Sequence, residues 1–295
     1  MKPFSLNIRG RLRRFDRPVV MGILNVTPDS FFEDSRSFDA DKIARRLETI
    51  LSEGADIIDV GGYSTRPGAR DIPPEEETDR LSRAMTVIRE VAPECIVSVD
   101  TFRASVAETA VTELGADIVN DISGTNLDPL MVSTMARLRV PYILTHSRGT
   151  PRDMQEFTDY ENVTSDVLSE LGDRVQWLAL EGVNDIIIDP GIGFTKTLEQ
   201  NYQLIHDLEV FRILHRPILM GISRKSLITR LLNIPTSEAL NATTALNISC
   251  LDRGADILRV HDVKAARQAI EIYEAVNHPD SISSPHPNLP EPDND

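Results

Sequence analysis

Cysteine is scarce in this 295-residue chain: only Cys95 and Cys250 occur, and they stand at no metal-ligand spacing from each other. Two isolated thiols point away from a disulfide framework and read as reduced, cytosolic cysteines. Long apolar runs are also missing. No stretch approaches the ~20 apolar residues that cross a membrane, and residues 1–18 lack the apolar segment of a signal peptide. A cytoplasmic location without a membrane partner is therefore expected. Positive charge is in deficit, with 31 Lys and Arg against 46 Asp and Glu and a net charge of −15. That balance argues against non-specific binding to nucleic acid. Arginines at 9, 11, 13, 14 and 17 would suit a transit peptide, but a strand-like run begins at Val19, immediately after them. Residues 1–18 are read instead as an N-terminal segment.

What the chain does have is 41% hydrophobic residues, enough to bury one large core. The phrase Gly-Ala-Asp-Ile recurs at 54–57, 115–118 and 254–257, each time between a helical pattern and an apolar run. Glycine relieves the left-handed position past a helix end, so the phrase marks helix-to-strand junctions. Read as two and four units, its spacings give about 30–35 residues per unit, the size of a βα step. Eight short β-branched runs alternate with amphipathic stretches, at 19–26, 55–62, 95–101, 116–123, 141–146, 184–191, 217–223 and 255–262. The fold class predicted is α/β, a single-domain (β/α)8 TIM barrel over residues 19–276, with a doubly wound open sheet as the alternative. Residues 277–295 hold five prolines among Ser, Asn and Asp and no Lys or Arg, a composition read as a disordered acidic tail.

Barrel strands are covered on both faces, so a polar residue within one needs a reason. Here the exceptions gather at one end. Asn25, Asp100, Asn120, Thr145, His146, Asp189, Ser223, Arg259 and His261 all fall at C-terminal strand ends, where barrel active sites are built. Period-two alternation puts Asn25 on the face of Ile23, Asn120 with Ile118, Asp189 with Ile187, and Arg259 and His261 with Ile257. Leu24, Val119, Ile188 and Val260 then face the helices. The polar groups converge inward and imply one pocket for a small polar ligand. Asp59, in the body of its strand, reads as a structural hydrogen-bonding group. Arg224, Lys225, Arg259 and His261 cluster after the last two strands, where barrels often bind phosphate, and imply an anionic ligand. Residues 25–38 and 63–76 are long for simple connections and suggest lids over the pocket.

Several phrases occur in order along these strand ends. They are MGILNVTPDSF from Met21 to Phe31, Gly61-Gly62 leading into Ser64-Thr65-Arg66-Pro67-Gly68, Ser98-Val99-Asp100-Thr101, and Asn120-Asp121-Ile122. Further along come His146 with Gly149 and Pro151, Asp189-Pro190-Gly191, Ser223-Arg224-Lys225-Ser226, and Arg259-Val260-His261-Asp262. Together they resemble the dihydropteroate synthase family of pterin-binding enzymes over about residues 19–270.

The resemblance implies a transferase that condenses 4-aminobenzoate with a dihydropterin carrying a 6-hydroxymethyl diphosphate, giving dihydropteroate and pyrophosphate in folate synthesis. It assigns pterin recognition to Asp100, Asn120, Thr145, Asp189 and Lys225. It puts Asn25 with Mg2+, Thr65, Arg66, Arg259 and His261 around the diphosphate, and 4-aminobenzoate among Thr65, Pro67, Phe194 and Ser226. Asp100, Asp189, Lys225, Arg259 and His261 carry the chemistry in this reading, and a homodimer through outer helices is expected. The chain departs from the usual family pattern at Tyr63, where Glu is common, and at Thr145-His146-Ser147, where Met-His-Met is more usual. At Thr145 a hydroxyl replaces an apolar, polarisable contact. Glu33 and Asp34 share the region of a first-loop carboxylate. A pterin-dependent methyltransferase barrel would share the ring contacts but needs no diphosphate site, so Arg66, Lys225, Arg259 and His261 argue against it. A non-catalytic pterin-binding paralogue is the other alternative. Trp177, at helical spacing, reads as core.

Overall fold

Residues 2–27, 36–64, 70–150 and 156–280 are described in the computed structural model. Eight parallel strands alternate with helices. They are β3 (Val19–Asn25), β4 (Ile57–Gly61), β5 (Ile96–Asp100), β6 (Ile118–Asp121), β7 (Tyr142–Thr145), β8 (Ile186–Asp189), β9 (Leu219–Met220) and β10 (Ile257–Val260). Each lies within one of the eight predicted runs. The helices are α1 (Arg36–Ser52), α2 (Pro74–Val91), α3 (Ala104–Thr112), α4 (Met131–Leu138), α5 (Val163–Leu180), α6 (Leu198–His206), α7 (Ser226–Leu232), α8 (Leu240–Asp252) and α9 (Val263–Asn277). The sheet runs β8-β7-β6-β5-β4-β3-β10-β9, and a parallel bridge between Ile188 and Ile218 brings its ends together. The Ile188 amide donates to the Pro217 carbonyl there at 2.9 Å. A nearly closed (β/α)8 barrel is observed, and the open sheet is set aside.

The recurring Gly-Ala-Asp-Ile phrase does more than end helices. Gly54, Gly115 and Gly254 all have positive φ, between 74° and 102°, as a left-handed helix end requires. The aspartate two positions on reaches the backbone of a neighbouring strand segment. Asp56 Oδ2 accepts from Val20 N at 2.8 Å, Asp117 Oδ2 from Val97 N at 2.9 Å and Asp256 Oδ2 from Ile218 N at 2.9 Å. Each thus satisfies an amide at the N-terminal rim of the ring.

Side chains alternate as the period-two pattern predicts. Val19, Met21, Ile57, Ile118, Ile143, Ile187, Leu219 and Ile257 pack together in the barrel interior, while Leu24, Val119, Ile188 and Val260 belong to the larger layer under the helices. Residues 1–18 contain an element the sequence reading left undefined. β1 (Phe4–Ile8) and β2 (Arg11–Phe15) pair antiparallel around Arg9-Gly10, both at positive φ as a two-residue primed turn demands. Leu6, Ile8 and Phe15 join the interior cluster and plug its N-terminal end. Arg9 fastens the plug, with Nε 2.8 Å from Asp117 Oδ1 and Nη2 2.9 Å from the Cys95 carbonyl.

One expectation about the outside needs revision, and another lies beyond the described residues. Trp177 on α5 is 44% exposed, a surface residue and not core, because its spacing puts it at the edge of the apolar stripe. The tail beyond Asp280 lies outside the described residues. Among those described, no helix is long and apolar enough to cross a membrane.

Candidate active site

A cavity of about 720 Å³ opens at the C-terminal strand ends. Asn25, Asp100 and Arg259 line it from β3, β5 and β10, His261 from just past the end of β10, and Phe194, Lys225 and Ser226 from the segments after β8 and β9. These positions span more than 230 residues of chain and meet because each follows a strand of the same ring. Asn120, Thr145 and Asp189 do not form the wall. They are buried at the ends of β6, β7 and β8, with Asp100 in register with Asn120 and Thr145 in register with Asp189. Thr65, Arg66 and Pro67 lie outside the described residues, as do Glu33, Asp34 and Pro151, so the two predicted lids are described only at their stems.

Arg259 organises the floor. Its Nε donates to Asp59 Oδ2 at 2.6 Å and its Nη2 to Asp100 Oδ2 at 2.7 Å, while Asn120 Nδ2 donates to the same Asp59 oxygen at 3.2 Å. Asp59 is fully buried and its other oxygen has no hydrogen-bond partner. Burial pushes the Asp100 carboxyl up to about 7; Arg259 pulls against this and Asp59 adds to it. Asp189 is raised by burial as well, with Lys225 opposing, and it accepts the Gly191 amide at 2.8 Å. Lys225 donates to the Ile192 carbonyl at 2.5 Å and lies 4.6 Å from the centre of the Phe194 ring. Burial draws its ammonium down to about 8. The floor therefore holds an acid, Asp100, and a base, Lys225, whose protonated and unprotonated forms lie close in free energy near neutral pH, a common property of functional clefts.

The predicted cationic cluster is leaner than its sequence suggests. Arg224 is forked onto Asp262 at 2.8 and 2.9 Å. His261 is pushed down to about 4 by burial and by Arg259, so it is neutral at pH 7. Its Nδ1 lies 3.3 Å from Ser223 Oγ, and its carbonyl accepts Arg46 at 2.7 Å. Arg259 and Lys225 thus supply the positive charge among these four.

Sequence reasoning misses two participants, Tyr63 and Lys196, and one partner of a residue it does place. Asp59 is the structural hydrogen-bonding group expected, and what the sequence does not show is its partner, Arg259, 200 residues away. Tyr63 lines the cavity; its ring meets Phe102 edge-on at 5.1 Å, the Arg103 guanidinium covers both rings, and its hydroxyl donates to Asp71 Oδ1 at 3.2 Å. Arg103 in turn holds the buried Glu77 at 2.6 Å. Lys196 is 5% exposed beside His146, in a Thr-Lys-Thr phrase that gives no hint of burial.

Among the described residues, no group of three His, Cys, Asp or Glu forms a metal site. Asn25 offers an amide oxygen to the cavity, close to Asp100: a Cβ built on Gly61 would stand 3.4 Å from Asn25 Oδ1 and 3.7 Å from Asp100 Cβ. Mg2+ takes few protein oxygens and fills its shell with water and phosphate. This donor set fits an Mg2+ that arrives on a phosphorylated ligand.

The profile of the pterin binding enzyme family matches residues 21–261, nearly the whole barrel. Dihydropteroate synthase of Bacillus subtilis (strain 168) is 40% identical over 279 residues, which cover 93% of this chain and 92% of the relative. The chain belongs to the dihydropteroate synthases of the pterin binding enzyme family. Two solved dihydropteroate synthase structures from Xanthomonas albilineans superpose over 93% of this chain and 98% of theirs. One, with 4-aminobenzoic acid, has a TM-score of 0.83 and 36% identity. The other, in complex with 7,8-dihydropteroate, has a TM-score of 0.81 and 31% identity. Membership of the dihydropteroate synthases sets aside the methyltransferase reading.

Proposed function

We propose that the chain joins 4-aminobenzoate to (7,8-dihydropterin-6-yl)methyl diphosphate, releasing pyrophosphate and forming 7,8-dihydropteroate. The observation that carries this reading is the Asp59–Arg259–Asp100 floor flanked by Asp189 and Lys225. A pterin presents amino and ring N–H donors beside acceptor atoms. Asp100, Asn120 and Asp189 supply acceptors for the donors, and Lys225 supplies a donor; Thr145, buried behind the wall at the end of β7, is assigned to the same ring. The diphosphate is assigned to Arg259 and His261, together with Thr65 and Arg66, and 4-aminobenzoate to Thr65, Pro67, Phe194 and Ser226.

In the reaction the methylene–oxygen bond breaks with its electron pair leaving on pyrophosphate, and the arylamine nitrogen forms the new bond and then releases a proton to water. The dihydropterin delocalises the positive charge left on the methylene, so ionisation precedes attack. Asp100 and Asp189 favour that electron-poor ring, and Arg259 stabilises charge growing on the leaving group; one such preorganised group contributes roughly 3–4 kcal/mol. Neutral His261 donates or accepts one hydrogen bond there. Bound Mg2+, held by Asn25 and phosphate oxygens, would supply further charge neutralisation. An arylamine is largely unprotonated at neutral pH, so no strong general base is assigned. Excluding water protects the cation from hydrolysis.

Further parts of the proposal are a cytoplasmic location and a homodimer. Ile272 and Val276, one turn apart on α9, are 63% and 74% exposed and suit a face covered by a second copy. The deciding assay is pyrophosphate release from the pterin diphosphate with Mg2+ and 4-aminobenzoate. Pterin binding without release would leave the non-catalytic paralogue in its place.

A further inference from the structure

The segment from Gly191 to Phe194 lends Gly193 and Phe194 to the cavity wall, and its Ile192 carbonyl receives Lys225. Its backbone is held at almost every polar atom. Gly191 N donates to Asp189 Oδ1 at 2.8 Å, Gly193 N to Asn201 Oδ1 at 2.6 Å and Phe194 N to the Gly191 carbonyl at 3.1 Å. From behind, the buried Lys196 ammonium lies 3.0 Å from the Gly191 carbonyl, 3.0 Å from the Phe194 carbonyl and 3.1 Å from His146 Nδ1. An ammonium has three protons, and three acceptors surround this one.

That arrangement fixes the next step outward. If His146 Nδ1 accepts from Lys196, the ring's single proton sits on Nε2, 3.1 Å from Glu170 Oε2. Glu170 also pairs with Arg148, whose guanidinium lies 3.9 Å over the Tyr160 ring. Lys196 itself does not line the cavity. It is fixed in chain position too, because Thr197 begins α6 with a capping box closed by Gln200.

We propose that Lys196 is a positioning residue. Anchored through His146 to Glu170 on α5, it sets the Gly191–Phe194 segment so that Phe194 and the Ile192 carbonyl hold the Lys225 ammonium in place for substrate. No atom of Lys196 touches substrate in this proposal; it acts through two carbonyls. A lysine suits this where arginine does not, since its donors spread tetrahedrally from one point and the planar guanidinium fork cannot reach the same three acceptors. The proposal rests on reading the cavity as the site for pterin and 4-aminobenzoate.

The test compares wild type, Lys196→Met and His146→Ala. Steady-state kinetics are read as KM for each substrate and kcat, 6-hydroxymethylpterin binding is measured by calorimetry, and thermal unfolding runs alongside. Lys196→Met keeps an unbranched chain of similar length but removes all three donors. The expected result is a rise of about tenfold or more in KM for 4-aminobenzoate, several-fold weaker pterin binding and a lower kcat. His146→Ala leaves both carbonyl bonds in place and should shift the same parameters in the same direction by less. If Lys196→Met does not fold, His146→Ala decides alone. A lowered unfolding temperature with KM, kcat and pterin affinity at wild-type values would overturn the proposal and make Lys196 purely structural. If wild type releases no pyrophosphate, the reading of the reaction fails instead, and Lys196 is judged by pterin affinity only.

Discussion

Arg259 Nε stands 2.6 Å from Asp59 Oδ2, although 200 residues of chain separate them. Asp59 is fully buried, and the guanidinium reaches past it to Asp100 at the cavity wall. A single cation thus joins an acid sealed from the cavity to an acid that lines it. When a ring nitrogen or amino group approaches Asp100, the hold of Asp59 on the other edge of the guanidinium keeps Arg259 oriented.

Removing that hold is the first prediction. Asp59→Ala leaves Arg259 buried with one counter-charge and leaves Asn120 without its acceptor. Breaking a buried pair from one side typically costs roughly 3–5 kcal/mol. Asp59→Ala should lower unfolding stability by about that amount, measured from the urea midpoint with unchanged slope. A shift below about 1 kcal/mol would mean that the pair is held loosely and does not organise the floor.

Lys225→Ala and Asp189→Asn bear on the cavity itself. A Cβ on Gly221 would lie 3.8 Å from Lys225 Nζ and 3.9 Å from Asp189 Oδ2, so the two groups flank the same point. Each substitution should lower turnover by roughly tenfold or more while the circular-dichroism spectrum and unfolding midpoint stay close to wild type. Wild-type turnover in either variant would remove that residue from the site.

Much of this arrangement was legible before any coordinates. Asn25, Asp100, Asn120 and Asp189 betray themselves because an apolar strand has no other use for them, and period two then decides which way they point. The hairpin at Phe4–Phe15 is masked in sequence by its arginines, though Phe4, Leu6 and Ile8 alternate ahead of a Gly10 turn. Lys196 left no trace, since burial of a lysine depends on three acceptors from distant segments. The neutrality of His261 is equally illegible in sequence: it comes first from burial, which only the assembled barrel supplies, and then from Arg259 two residues before it.

The Asn25 amide carries the metal prediction. Asn25→Ala should raise the Mg2+ concentration needed for half-maximal pyrophosphate release and raise KM for the pterin diphosphate about tenfold, with KM for 4-aminobenzoate little changed. Chelation by EDTA should abolish release in wild type. Full activity in EDTA would remove Mg2+ from the reaction.

His146 gives stability a defined pH dependence. Burial, helped by Lys196, pushes its imidazole down to about 4, so folding favours the neutral ring. Its contribution is present above the ordinary histidine value near 6.5 and is lost as pH falls toward 4. Asp100, raised to about 7, works the other way: its contribution is full below about 4 and fades as pH rises through 7. The stability difference between wild type and His146→Gln isolates the first effect. It should shrink by roughly 2–3 kcal/mol between pH 7 and pH 4.5 in urea unfolding. A difference that stays constant over that range would show that His146 is not held neutral by the fold.

The last prediction separates the two ends of the barrel. Leu6 is 2% exposed, inside the plug that β1 and β2 drive into the N-terminal mouth, and the cavity opens at the other end. Between them lies the layer of Met21, Ile118, Ile187 and Ile257, close-packed and able to carry load but not shaped by substrate. Truncating a buried leucine to alanine costs roughly 2–5 kcal/mol, the spread reflecting how far the site collapses. Leu6→Ala should therefore lower the free energy of unfolding by that amount, read from the urea midpoint at unchanged slope. Assayed well below its unfolding temperature, the variant should retain wild-type kcat and KM, because function in this fold is built on the opposite rim. A tenfold loss of kcat in a fully folded Leu6→Ala protein would show instead that the plug and the cavity are mechanically coupled through the interior layer.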